Sequence, residues 1–112
     1  MGLFGRKRRA DEPSRDAQRE VAEHLAQWMS TRRGIEVYME PRTTVTAPTM
    51  LLVAHDGEFT RRPVRSAEDA KDFARAYSLP IYDATVVGYP QRMRDYSRRH
   101  TIREKRAGLG DI

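Results

Sequence analysis

The sequence predicts an α+β domain: helix, three-stranded antiparallel sheet, helix (α-β-β-β-α), with a basic helix closing the chain and a short fourth strand as an open option. Three observations lead there. Apolar residues recur at spacings of three and four over 17–29, the signature of one helix face. They then alternate with glutamates over 35–40, the period of a half-buried strand. Asp56-Gly57 separates two strand-like runs, as a hairpin turn does. With 112 residues the chain has room for one core and no second.

Residues 1–12 are charged and aperiodic and read as a disordered basic leader. Pro13 and Ser14 open the first helix, with Glu12 or Ser14 as its cap and Asp16 in its first turn. Ala17, Val21, Leu25, Trp28 and Met29 form its apolar face, and Trp28 reads as core. The helix is expected to reach Arg33, with Gly34 as the left-handed residue that ends it.

Ile35, Val37 and Met39 form the inner face of the first strand, and Glu36 and Glu40 its outer face. Pro41 and Pro48 bracket a Thr-rich link. Met50 to Ala54 is apolar on both faces, as in a central strand. A two-residue type I′ turn at Asp56-Gly57 returns the chain to an edge strand over 58–64, marked by Arg61, Arg62 and Pro63.

Ser66 caps the second helix, with Asp69 in the place a capping box gives to Glu. Ala67, Ala70, Phe73, Ala74 and Tyr77 form its buried face, and Leu79-Pro80 ends it. Over 81–89, Thr85-Val86-Val87 points to a short strand and Asp83-Ala84 to a turn. Pro90 opens a last helix over about 90–106. Residues 13–90 thus form the domain and 91–112 a basic helical extension. Packing both helices on one face of the sheet is the economical way to bury their apolar stripes.

The order α-β-β-β-α over 14–79 resembles the double-stranded RNA-binding domain in topology. That family reads RNA partly through lysines at the start of its second helix. Here that position is Ser66-Ala67-Glu68-Asp69-Ala70-Lys71, where two acids would face phosphates. The resemblance therefore extends to the fold and argues against that binding surface.

Charge separates ends from middle. The net charge is +5, with +4 in residues 1–10, −3 in 11–90 and +4 in 91–112. Attraction to a polyanion is thus expected at the ends. The 18 arginines against 3 lysines also dominate the acidic middle, which fits a compositional bias better than a phosphate-binding design.

Several classes are excluded or weakened. Without cysteine there is no disulfide, thiolate metal site or cysteine nucleophile. The run Met50 to Ala54 is too short to span a bilayer, and MGLFGRKRR lacks the apolar run of a secretory signal, so a cytoplasmic protein without integral membrane association is expected. His24, His55 and His100 have no second ligand at metal spacing. His55-Asp56 lies in a tight turn with no nucleophile motif nearby, and no glycine loop cradles phosphate. A helix-turn-helix starting in 73–80 and continuing through Thr85-Val86-Val87 would have Gly88 and Pro90 inside its recognition helix. No enzymatic activity, metal or cofactor is expected.

The candidate site is the C-terminal segment. Arg92, Arg94, Tyr96, Arg98, Arg99, Arg103, Lys105 and Arg106, with Tyr89 and His100, interleave guanidinium groups with aromatic rings. Nucleic acid binds such surfaces by phosphate neutralisation and base stacking. Two other readings stand beside it: a solvated helix docked on its own domain by Met93 and Tyr96, and an adaptor for an acidic protein or anionic membrane. The expected function is a non-enzymatic accessory protein that binds nucleic acid or ribonucleoprotein through this segment. The alternative is a protein-interaction adaptor using the sheet face and the final helix.

Overall fold

The structure, a computed structural model, describes residues 14–110, with side chains to residue 106. The expected leader over 1–12 lies outside the described residues. Helix α1 spans Arg15–Ser30, β1 Glu36–Glu40, β2 Thr49–Val53, β3 Phe59–Pro63, α2 Ala67–Ala76, β4 Ile81–Asp83, α3 Ala84–Val87 and α4 Gln91–Gly110.

Ser14 is the cap of α1: its hydroxyl accepts the Ala17 N–H at 3.1 Å, satisfying one of the helix's orphan donors. The helix stops at Ser30, three residues before the expected end. Gly34 does take positive φ, at +62°, but in the link to β1 rather than as the helix cap. A side chain there would also meet the Cβ of His55 at 2.9 Å.

Helix α2 begins as expected, with the Ser66 hydroxyl accepting the Asp69 N–H at 3.2 Å. Instead of closing a capping box, the Asp69 carboxylate pairs with Arg65 at 2.8 Å. The helix ends on Ser78 at φ +55°, with the Leu79 N–H donating to the Ala74 carbonyl at 2.8 Å. That geometry satisfies the last carbonyls as a left-handed terminator does. Tyr77, expected on the buried face, is 45% exposed and lays its ring against Phe73.

The sheet has four strands in the order β3-β2-β1-β4. Strands β1, β2 and β3 are antiparallel neighbours, with Tyr38 opposite Leu51 and Leu51 opposite Arg61. Strand β4 returns after α2 to pair parallel with β1, Tyr38 against Tyr82, so the sheet is mixed. The fourth strand is real but sits at 81–83, while Thr85-Val86-Val87, read as strand-like from their β-branching, form the short helix α3. Asp83 decides this locally: its carboxylate accepts the Thr85 N–H at 2.8 Å and caps α3.

The hairpin is where the sequence places it, but its turn differs. The Ala54 carbonyl accepts from Gly57 at 2.9 Å, and the Ala54 N–H donates to Glu58 at 2.8 Å. Gly57 alone has positive φ, at +93°; Asp56 does not, as a type I′ turn would require. This is a three-residue loop with the glycine in the left-handed position. Asp56 holds it by accepting the Glu58 N–H at 3.0 Å.

The pleat sends alternate residues into two separate cores, one on each face of the sheet, where chain length and the apolar count lead to the expectation of a single core. Val37, Met50 and Leu52 meet Leu25 of α1 and Ala70 and Ala74 of α2, with Trp28 and Phe73 packed at the margin. The expectation that both helices share one face holds for α1 and α2. The other face, expected to be free, is covered: Tyr38, Leu51 and Val53 pack with Ala84, Phe59, Tyr89 and Met93. Residues from α3 and the start of α4 thus add a third layer. Leu51 and Val53 are fully buried there, each contributing about 1.5–3 kcal/mol relative to exposure.

Candidate nucleic-acid interface

The outer face of β1 carries Glu36, Tyr38 and Glu40, two residues apart and therefore on one side of the sheet. Each glutamate fastens the segment that leads into α4. Glu36 pairs with Arg92 and also accepts from the Tyr38 hydroxyl at 3.1 Å. Arg92 Nε donates to the Ala54 carbonyl at 3.0 Å, so one guanidinium joins β1, the hairpin and α4. Glu40 accepts from Arg61 through two nitrogens at 2.6 and 3.0 Å, from Thr49 at 2.7 Å and from the Tyr89 hydroxyl.

These contacts set the local proton affinities. Burial pushes the Glu40 carboxyl up, but the hydrogen bonds from Arg61, Tyr89 and Thr49 outweigh it and hold it below the ordinary range. The hydrogen bond to Glu40, with burial, raises the Tyr89 phenol. Burial, then the Glu36 charge, raises that of Tyr38.

Gly57 lets α4 approach the hairpin. A Cβ there would lie 1.9 Å from the Arg92 carbonyl oxygen and 3.0 Å from the Tyr96 Cβ. The first turns of α4 therefore lie against the 54–58 turn.

The structure divides the eight sequence-predicted site residues. Arg92 is half-buried and committed to Glu36 and Ala54. Tyr96 is half-buried, its ring stacked on His100 with centroids 6.1 Å apart and planes 7° from parallel. Arg99 reaches back to the Asp56 carbonyl at 3.3 Å. Tyr96, Arg99, His100 and Arg103 line, with Asp56, a shallow depression of about 150 Å³. Arg98 pairs with Asp95 at 2.7 Å and stays 70% exposed. Arg94, Lys105 and Arg106 are exposed.

Beyond Ser97 every residue to Arg106 is exposed, with Arg99 still reaching the hairpin at the Asp56 carbonyl. That stretch carries five basic residues and one acid. Few contacts hold it helical. The His100 Nε2 lies 3.1 Å from Glu104, and Arg98 to Asp95 adds a second pair one turn earlier.

Sequence reasoning missed two things here. Arg92 fastens the fold; its signal was the unpaired outer-face glutamate of β1. Ile102 stands 43% exposed in the middle of the basic stretch, a lone apolar residue that no helical periodicity singles out.

A second depression, of about 450 Å³, lies between the end of α1 and the hairpin, lined by Ser30, Arg33, His55 and Asp56 among others. Its Arg32 is already engaged by Glu58 at 2.6 Å and lies over the Trp28 ring at 4.5 Å. His55 and Asp56 are both exposed, and the Asp56 carboxylate is taken by the turn. No group of three His, Asp or Glu among the described residues is placed to hold a metal ion. No described helix is long and apolar enough to cross a membrane. Comparisons with protein-family profiles, curated proteins and solved structures find no match.

Proposed function

We propose that this is a small cytoplasmic accessory protein, without enzymatic activity, that binds nucleic acid or ribonucleoprotein electrostatically through α4. The observation that carries the reading is the stretch Arg98–Arg106, exposed at every residue and strongly basic. Isolated helices this short are marginal in water, so one held out from its domain gains most from a partner that contacts it all round. The middle of the chain is net acidic, which confines attraction for phosphate to the ends. The protein-adaptor alternative loses part of its surface, because Tyr89 and Met93 cover the sheet over β1 and β2.

The test is binding of labelled single-stranded and duplex oligonucleotides to the intact chain. Affinity is expected in the micromolar range or tighter at low salt and to fall steeply as salt rises. Changing Arg98, Arg99 and Arg103 together to Ala should weaken binding at least tenfold for every sequence. Absence of binding by micromolar protein at low salt would reject the reading.

A further inference from the structure

Helix α4 is basic on two sides, and one of them meets the domain. Arg92, Tyr96, Arg99 and Arg103 follow at spacings of four, three and four, which places them on one stripe. That stripe faces the hairpin. Arg92 donates to the Ala54 carbonyl at 3.0 Å, Arg99 donates to the Asp56 carbonyl at 3.3 Å, and Arg103 lines the depression beside Asp56. Arg94, Arg98 and Lys105 follow at spacings of four and seven, on the opposite side of the helix. All three are exposed, and Asp95 takes Arg98 at 2.7 Å.

The hairpin-facing side continues onto a second element. Asp56 lines both depressions, the one against α4 and the one against the end of α1. Across the turn from Arg99 stand Arg33 and His55, joined through the backbone by the His55 N–H, which donates to the Arg33 carbonyl at 2.9 Å. Arg33 is exposed, and no carboxylate among the described residues pairs with it. The other side chains of that depression are spent. Arg32 is held by Glu58, and the Ser30 and Thr31 hydroxyls donate to carbonyls of their own helix at 2.6 and 3.4 Å. Open carbonyls at the end of a helix repel an anion, but those of Trp28 and Met29 already accept from Arg32, at 2.9 and 3.1 Å. Arg33 and His55 are the donors left there for a ligand.

We infer that the nucleic-acid site is composite: its tightest contact lies where the sugar-phosphate backbone crosses the hairpin turn, held by Arg99 and Arg103 of α4 on one side and by Arg33 and His55 on the other. The inference rests on the nucleic-acid reading above and adds to the site two residues outside α4. The recessed surface at the turn offers a phosphate donors from two elements, whereas the outward side of α4 is convex and offers one. Arg99 is already held by the Asp56 carbonyl, so less freedom is lost when it binds, and a guanidinium keeps further N–H donors beside the one in use. Asp56 is the opposing charge on this path. Its carboxylate accepts the Glu58 N–H at 3.0 Å and faces the same two depressions as the four donors. Removing that charge should therefore strengthen binding, a response the outward side would not give.

The experiment uses the full-length chain, fluorescence anisotropy with labelled single-stranded and duplex DNA, and variants matched in net charge. It is run at about 0.1 M salt, where screening sets in over about 10 Å and the place of a charge matters more than the total. Arg33→Glu should weaken binding at least fivefold, and by more than Arg94→Glu or Lys105→Glu, which remove the same charge from the outward side. Asp56→Asn keeps an acceptor for the Glu58 N–H and should tighten binding about two- to fivefold, and by more than Asp95→Asn. Arg33→Ala should lower the slope of log affinity against log salt by about one. Circular dichroism checks that each variant is folded, and Arg33→Ala serves where the reversal unfolds the chain. If a folded Arg33 variant loses no more than its Lys105 counterpart, or Asp56→Asn binds no tighter than Asp95→Asn, the contact lies on the outward side. The composite site then falls and the proposed function stands. If neither probe binds even at low salt, both fall.

Discussion

Gly57 is the position where one atom decides the fold. It has φ of +93°, and a Cβ would overlap the Arg92 carbonyl at 1.9 Å, a backbone atom that cannot step aside. Gly57→Val therefore combines backbone strain with displacement of α4, and should lower unfolding stability by at least about 2–4 kcal/mol in urea titration. Gly88 isolates the strain alone. It has φ of +73° with nothing within 4 Å of its added Cβ, so Gly88→Ala should cost about 1–3 kcal/mol. If the two variants lose the same amount, the close approach of α4 to the hairpin is wrong. Trp28 gives a second measure at this scale. It packs at the margin of the first core, half-buried under the Arg32 guanidinium, so Trp28→Ala should cost about 2–3 kcal/mol, below the 3–5 of a fully buried ring.

Among the elements, the attachment of the segment leading into α4 depends on the ionised Glu40. Glu40 titrates below its ordinary value of 4.5 because Arg61, Tyr89 and Thr49 favour the charged form over the cost of burial. A depressed carboxylate contributes stability that is present above its unfolded value and lost as pH falls through its folded value. Stability should thus decline as the pH drops below about 4.5, and Glu40→Gln should be less stable at neutral pH with a shallower acid limb. Urea midpoints at pH 3 to 7 check this; parallel acid limbs would remove Glu40 from the linkage.

These contacts also mark where the sequence ran out. Helices α1 and α2, the Ser66 cap and the three antiparallel strands are set by local spacing and were legible, while the cap of α1 stood open between Glu12 and Ser14. The second core was signalled by β2, whose Leu51 and Val53 are apolar on the face away from α1 and α2. It was obscured by Glu36 and Glu40, which read as a solvated face because their partners, Arg92 and Tyr89, are about fifty residues away. The turn type at Asp56-Gly57 and the exact place of the fourth strand within 81–89 were not legible for a related reason. Backbone N–H groups donating to the Asp56 and Asp83 carboxylates chose the backbone path there, and β-branching at 85–87 did not.

At the scale of the whole molecule, α4 joins two regimes. Its start, with Arg92 and Met93, is built into the second core, and its end, from Arg98 on, is exposed, with the Arg99 bond to the Asp56 carbonyl tying it to the hairpin. Stability and function should therefore separate along this one helix. A chain shortened to residue 97 keeps the Glu36–Arg92 pair, the Met93 contact and the Gly57 approach. It should unfold cooperatively at nearly the parent's midpoint while losing the attraction for polyanions. A chain shortened to residue 90 keeps Tyr89 but loses Arg92 and Met93, which leaves Glu36 half-buried without its cation and uncovers part of Leu51 and Val53. The lost apolar contact and ion pair together should cost about 2–4 kcal/mol. Calorimetry on the two shortened chains tells whether the folded unit ends before or after the first turns of α4. Equal melting would place the boundary at residue 90, as composition alone suggests, and would make the whole of α4 an appendage. A clear gap would make its first turns the clamp that aims the basic stretch away from an acidic body.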